Sequence, residues 1–221
     1  MSIDPNIIRG LYAITPEIAD TPRLLSQVQQ AIDGGVTVLQ YRAKTLAPAL
    51  RDAQAHALAT QCKRQGVALI INDDIALARA CNAAGVHLGR DDRTSWNKAD
   101  SDSEHPLIVG ISCYDSLQLA LDAQQAGASY VAFGSFFPSR TKPDAVRATL
   151  PLLREARRQL DLPIVAIGGI DLDQVDALIE AGADAVAVIS ALFEAPDISG
   201  MARQFNHHFQ GRHDQFQRPA F

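Results

Sequence analysis

Gln40, Arg42 and Lys44 are spaced two apart, so in an extended chain they project to one side. One amide and two cations then converge on a common point, a donor set suited to an anion. A solvated strand exit carrying an ordinary ion pair has the same composition. Two acidic clusters follow, Asn72-Asp73-Asp74 and, after His87, Asp91-Asp92. Each holds an aspartate that could cap the next helix. Hard oxygen ligands from two neighbouring places also suit magnesium, which takes one or two carboxylates and fills its remaining positions with water and phosphate oxygens. His87 sits among apolar neighbours and reads as a packed histidine. Further along, residues 134–143 combine serine, threonine, Arg140 and Lys142 with two prolines, the composition of a mobile lid. Gly168-Gly169 and Ile189-Ser190 close short apolar runs where main-chain amides could cradle a phosphate. No Ser/His/Asp or Cys/His pairing offers a protein nucleophile.

These residues need a scaffold that brings them to one edge, and the apolar pattern supplies it. Eight short runs rich in Val, Ile and Ala, at residues 11–14, 36–40, 68–72, 85–88, 107–112, 130–133, 163–167 and 185–189, predict strands. Segments with helical periodicity lie between them, at 23–33, 47–64, 75–83, 116–125, 150–159 and 172–181. The polar stretch 93–105 allows at most a short helix, and 198–209 predicts the closing one. A helix end, a glycine and a strand recur as DGGVTVLQ, RQGVALIIN, AAGVHLG, QAGASYVAFG and EAGADAVAVIS. Gly35, Gly66, Gly85, Gly127 and Gly182 are thus expected in left-handed positions at helix ends. This alternation is that of an α/β protein with a parallel sheet, either a closed (β/α)8 TIM barrel or an open doubly wound sheet. The first strand is followed by no GxGxxG turn, which favours the barrel over a dinucleotide-binding sheet. In a barrel the candidate residues all fall at the C-terminal strand ends, where barrel chemistry collects.

Composition narrows the classes further. The 221 residues are 47% hydrophobic and 20% charged, which suits one folded domain over residues 1–209 with a loosely ordered tail at 210–221. The formal charge of -5, without a basic block, argues against nucleic acid as a partner. No apolar run is long enough to span a membrane, and the first residues do not read as a secretory signal. Cys62, Cys81 and Cys113 form no metal or disulfide spacing, so a reducing cytoplasm is the expected location. The sequence leaves a homo-oligomer open. One edge with a cationic, metal-assisted anion site and a separate phosphate cradle suits an enzyme that joins two phosphorylated small molecules.

The motifs QYRAK (40–44), ND (72–73), HLGRDD (87–92), GIS (110–112), PSRTK (138–142), AIGGI (166–170) and VIS (188–190) resemble the thiamine-phosphate synthase (thiamine-phosphate pyrophosphorylase) family, in this order and over about residues 11–205. The resemblance implies a TIM barrel and a transferase that joins hydroxymethylpyrimidine pyrophosphate to thiazole phosphate with Mg2+ as cofactor. It implies Asp73 and Asp92 as metal ligands. Gln40, Tyr41, Arg42, Ala43, Lys44, Asn72, Ser112 and Lys142 would bind the pyrimidine pyrophosphate, with Arg42, Lys44, Ser112 and Lys142 acting on the departing group. Ser139, Arg140, Thr141, Gly169, Ile189 and Ser190 would hold the thiazole phosphate. Ala43 stands where the family commonly has glutamate, Ser139 where threonine is common, and Arg90 where glutamine is usual. A thiazole tautomerase or a non-catalytic phosphometabolite-binding barrel is the alternative of a different class.

Overall fold

The computed structural model describes residues 7–89, 106–138 and 146–210. Within them eight parallel strands close into a barrel in chain order: β1 (Gly10–Ile14), β2 (Val38–Tyr41), β3 (Ala68–Asn72), β4 (Gly85–Leu88), β5 (Ile108–Tyr114), β6 (Tyr130–Gly134), β7 (Ile164–Ile167) and β8 (Ala185–Val188). The closure is made by β1 against β8, where Leu11 pairs with Val186 and Ala13 with Val188. The doubly wound alternative is thereby excluded. Outside the strands lie α1 (Thr21–Asp33), α2 (Pro48–Gln65), α3 (Ile75–Ala80), α4 (Leu117–Ala126), α5 (Leu150–Gln159), α6 (Leu172–Glu180), α7 (Ser190–Phe193) and α8 (Ile198–His207).

Strands buried on both faces carry apolar residues almost continuously, and their period of two sorts the side chains into two cores. Leu11, Leu39, Ile71 and Val186 point outward and pack against helix residues such as Val28 and Leu58. Tyr12, Val38, Ile70, Tyr130 and Val165 point inward and fill the lumen, as the stacked layers of such barrels do. Leu58 is wholly buried, which contributes about 2 kcal/mol by area alone.

Helix ends follow the side chains available. Asp20, Asp74, Ser116 and Asp197 cap the first turns of α1, α3, α4 and α8 by accepting from main-chain amides. Gly66 and Gly127 close α2 and α4 in the left-handed conformation. Gly85 departs from that expectation. It opens β4, and a Cβ there would meet the Ile108 carbonyl oxygen at 2.2 Å; close approach of β5 excludes a side chain. The left-handed position after α3 belongs to Asn82, at φ 54°, so that helix stops at Ala80 and not at residue 83. β2 begins at Val38 because Val36 still bonds back to Ala31 and completes the end of α1. The short α7 was not expected. The polar stretch 93–105 lies outside the described residues, as do residues 211–221 of the expected tail.

Candidate functional site

The C-terminal strand ends surround a cavity of about 920 Å³. On its cationic side are Gln40, Arg42 and Lys44, brought together because alternate residues of the β2 exit share a face. Tyr41 takes the opposite face. Its hydroxyl donates to Gln54 on α2 at 2.9 Å, and burial pushes its pKa up to about 12 despite the nearby Arg51. The Tyr41 side chain therefore belongs to the outer core. Ala43 likewise packs on the outer core.

The turn after β1 holds this strand exit in place. The main-chain amide of Arg42 donates to Thr15 Oγ1 at 3.0 Å. Glu17 Oε1 accepts from the Thr45 amide, the Thr45 hydroxyl at 2.8 Å and the Leu46 amide at 3.0 Å. Slight burial raises the Glu17 pKa, but these donors outweigh it and hold the carboxyl below its ordinary value of 4.5.

The choice between Asp73 and Asp74 is resolved by the backbone. Asp74 caps α3, accepting from Leu77 at 2.8 Å, and pairs with Arg51 at 3.1 Å. Asp73 adopts φ 65°, a left-handed conformation that aspartate tolerates better than most residues. Its amide continues the barrel pairing to the His87 carbonyl at 2.8 Å. Its carboxylate lies in the cavity wall, 2.9 Å from Lys44 Nζ and 2.6 Å from Asn72 Nδ2. A cation is thus already held at Asp73. The other expected carboxylate, Asp92, lies outside the described residues with Arg90, but Gly89, just before them, lines the cavity.

Ser112 reaches the cavity by the alternation of β5, which turns Ile108 and Ser112 inward, and an irregularity follows it. Ser112 pairs with Ala132 while Tyr114 pairs with Phe133, so Cys113 is bulged out and the end of β5 is redirected. On the far side Gly169, Ile189 and Ser190 line the cavity. Gly168 and Gly169 take φ 106° and 61°. A Cβ on Gly168 would meet Ser135 Oγ at 2.1 Å, and one on Gly169 the Pro138 carbonyl oxygen at 2.2 Å. The glycine pair is thus required by the chain leaving β6, which continues to bond to β7 through Phe136 to Ile167 and Phe137 to Gly168. The expected lid residues Ser139, Arg140, Thr141 and Lys142 lie outside the described residues; Pro138 and Val146 on either side of that segment both line the cavity.

Several site features escaped the sequence reading. Asp171 and Glu194 line the glycine side. His87 does more than pack: its ring nitrogens lie 3.0 Å from the Tyr130 hydroxyl and 2.8 Å from Ser112 Oγ. Tyr12 and Tyr130 join across the lumen at 2.8 Å. Burial pushes both phenols well above the ordinary tyrosine range, so both keep their protons. The available signal was the strand alternation, which turns Tyr12, His87 and Tyr130 inward, where polar atoms need partners.

Residues 11–192 match the family described as thiamine monophosphate synthase. A thiamine-phosphate synthase of Thiobacillus denitrificans is 54% identical over 200 residues, covering 90% of this chain and 94% of the relative. One of Azoarcus is 53% identical over 190 residues, covering 86% and 92%. Among solved structures, a thiamine phosphate pyrophosphorylase from Pyrococcus furiosus superposes with a TM-score of 0.80 at 30% identity, over 92% of this chain and 96% of that one.

Proposed function

The chain belongs to the thiamine monophosphate synthase family, and from that premise we propose that its strand-end cavity joins hydroxymethylpyrimidine pyrophosphate to thiazole phosphate. Its activity is that of a thiamine-phosphate synthase, a transferase. The observation that carries the reading is one cavity lined on one side by Arg42, Lys44 and Asp73 and on the other by Gly169 and Ser190. Two anionic substrates then meet in a single space.

In the proposed reaction the bond between the pyrimidine methylene carbon and the pyrophosphate oxygen breaks, and its electron pair leaves with pyrophosphate. The methylene cation that remains is captured by the thiazole nitrogen. Arg42, Lys44 and Lys142 neutralise the charge that grows on the departing group, and such fixed countercharge acts where it develops. Ser112 offers that group a hydrogen bond, while Gln40 and Asn72 orient the ring. Tyr41 and Ala43 contribute through their main chain alone. Ser139, Arg140, Thr141, Gly169, Ile189 and Ser190 hold the thiazole phosphate.

Asp73 and Asp92 would hold Mg2+, with water and pyrophosphate oxygens completing its shell. The hard carboxylate oxygens of Asp73, already facing the Lys44 ammonium, fit such an ion. When bound, the ion supplies positive charge beside the departing pyrophosphate. The three thiols are free and buried, which suits a reducing cytoplasm, and no described helix is long and apolar enough to cross a membrane.

A coupled assay of pyrophosphate release tests the reading. Release is expected only when pyrimidine pyrophosphate, thiazole phosphate and magnesium are all present. Turnover of a thiazole phosphate alone would replace the synthase with an isomerase.

A further inference from the structure

Five side chains from five strands form one continuous run beneath the cavity. Gln40 Nε2 donates to the Tyr12 hydroxyl at 3.1 Å, and the Tyr12 and Tyr130 hydroxyls lie 2.8 Å apart. The Tyr130 hydroxyl is 3.0 Å from His87 Nδ1, and His87 Nε2 is 2.8 Å from Ser112 Oγ. Gln40 and Ser112, the two ends, line the cavity, and the edge of His87 beside Ser112 reaches it too. Tyr12, Tyr130 and His87, the middle, are 2%, 0% and 8% exposed. The fit around Tyr130 is specific: a Cβ on Gly110 would sit 1.9 Å from its Cζ and 2.3 Å from its hydroxyl oxygen. β5 is bare at the position where the phenol passes, and the His87 ring stacks on Tyr130 at 5.6 Å.

With Gln40 Nε2 turned to the Tyr12 hydroxyl, proton counting gives the run a direction. Each phenol has one proton to donate. The Tyr12 oxygen already accepts from Gln40; if it accepted from Tyr130 as well, its own proton would be left unbonded in a fully buried place, which is costly. Tyr12 therefore donates to Tyr130, and Tyr130 donates to His87 Nδ1. The neutral imidazole then carries its proton on Nε2 and donates to Ser112 Oγ. Ser112 keeps its own proton for the cavity. Gln40, its amide nitrogen committed to Tyr12, turns Oε1 to the cavity.

We propose that Tyr12, Tyr130 and His87 are positioning residues, a one-way hydrogen-bond chain that fixes Gln40 as an acceptor and Ser112 as a donor on the cavity floor. The chain thereby selects a ring that offers an amino donor to Gln40 while its leaving group accepts from Ser112. The selection rests on the proposed function, in which Gln40 and Ser112 face the pyrimidine pyrophosphate. The direction of the chain does not.

Nitrogen-15 NMR of the full chain without substrates tests the direction: His87 should be protonated on Nε2. A proton on Nδ1 would reverse every bond and overturn the proposal. Steady-state kinetics test the positioning. Tyr130→Phe is expected to lower kcat/KM for pyrimidine pyrophosphate about tenfold, the scale of one buried hydrogen bond, with the KM for thiazole phosphate unchanged. In the same variant the Nε2 preference of His87 should be lost. His87→Gln, whose amide keeps an acceptor and a donor, should retain about tenfold more activity than His87→Leu, which holds the proposal testable if Tyr130→Phe fails to fold. Folded variants with wild-type kinetics would sink the positioning role and leave the synthase reading standing. A wild-type chain inactive with all three components would sink the synthase reading, while the His87 tautomer would still decide the chain.

Discussion

The two mouths of the barrel use similar side chains to opposite ends. Below the strands, the Asp184 carboxylate accepts from Arg157 at 2.8 Å and from the Ile164 amide at 2.7 Å. Arg157 forks on to the Leu160 and Leu162 carbonyls at 2.7 and 3.1 Å. Asn206 donates to Gly34 and Gly35 and accepts from Leu11. Above the strands, the Lys44 and Asp73 pair borders the cavity, with side chains 50% and 25% exposed against 20% and 17% for Arg157 and Asp184. The lower pair spends its hydrogen-bonding capacity inside the protein, and the upper pair keeps capacity for a ligand. A cation beside an aspartate therefore identifies neither role; what the remaining lone pairs and protons face does.

Exchanging perturbations between the two mouths tests this contrast. Asp73→Ala should lower kcat/KM for pyrimidine pyrophosphate by about 10²- to 10³-fold and raise the magnesium concentration needed for half activity, with little change in melting temperature. Pyrophosphate release across a magnesium titration measures both. Asp184→Ala should do the reverse: it strands Arg157 and the Ile164 amide, so urea unfolding should show a loss of about 3 kcal/mol with kinetic constants near wild type. A catalytic loss as deep as that of Asp73→Ala would mean that the mouths are not separable.

Gly169→Ala should have a smaller effect. The added methyl meets the Pro138 carbonyl and the backbone is left-handed, the latter alone a strain of about 1–2 kcal/mol. The KM for thiazole phosphate should rise roughly tenfold and that for the pyrimidine much less. The smallest effect concerns Glu17. Its folded pKa is lowered, so its contribution is complete above the ordinary 4.5 and is lost as pH falls through the lowered value. The melting-temperature gap between wild type and Glu17→Gln should be constant above about pH 5 and close in acid. A gap that widened in acid would mean that the Thr45 and Leu46 amides are not what Glu17 holds.

Much of the scaffold could be read from the chain because both β periodicity and helix capping are local. The bounds of β3, β4 and α5 agree with the expected ones to the residue, and the β2 exit turns Gln40, Arg42 and Lys44 to the cavity as their spacing implies. What escaped depends on neighbours distant in sequence. Tyr12 and Tyr130 lie 118 residues apart, and neither looks polar in purpose within an apolar strand. Gly85 resembles a helix-ending glycine until β5 is placed beside it. The assignment of Asp74 to a cap and Asp73 to the cavity turns on one backbone angle, which residue types alone do not set.

The β1–β8 seam has a consequence for synthesis. β1 takes its second partner only from residues 185–188, some 175 positions later in translation. At a ribosomal pace of about 5–20 residues per second, that is a wait of roughly 10 to 35 s with one strand edge unpaired. During that interval the nascent chain presents the kind of edge that another chain can extend. Faster elongation shortens this exposure and crowded polysomes multiply it. The yield of native protein should therefore respond to codon usage anywhere between β1 and β8, and not to that beyond β8.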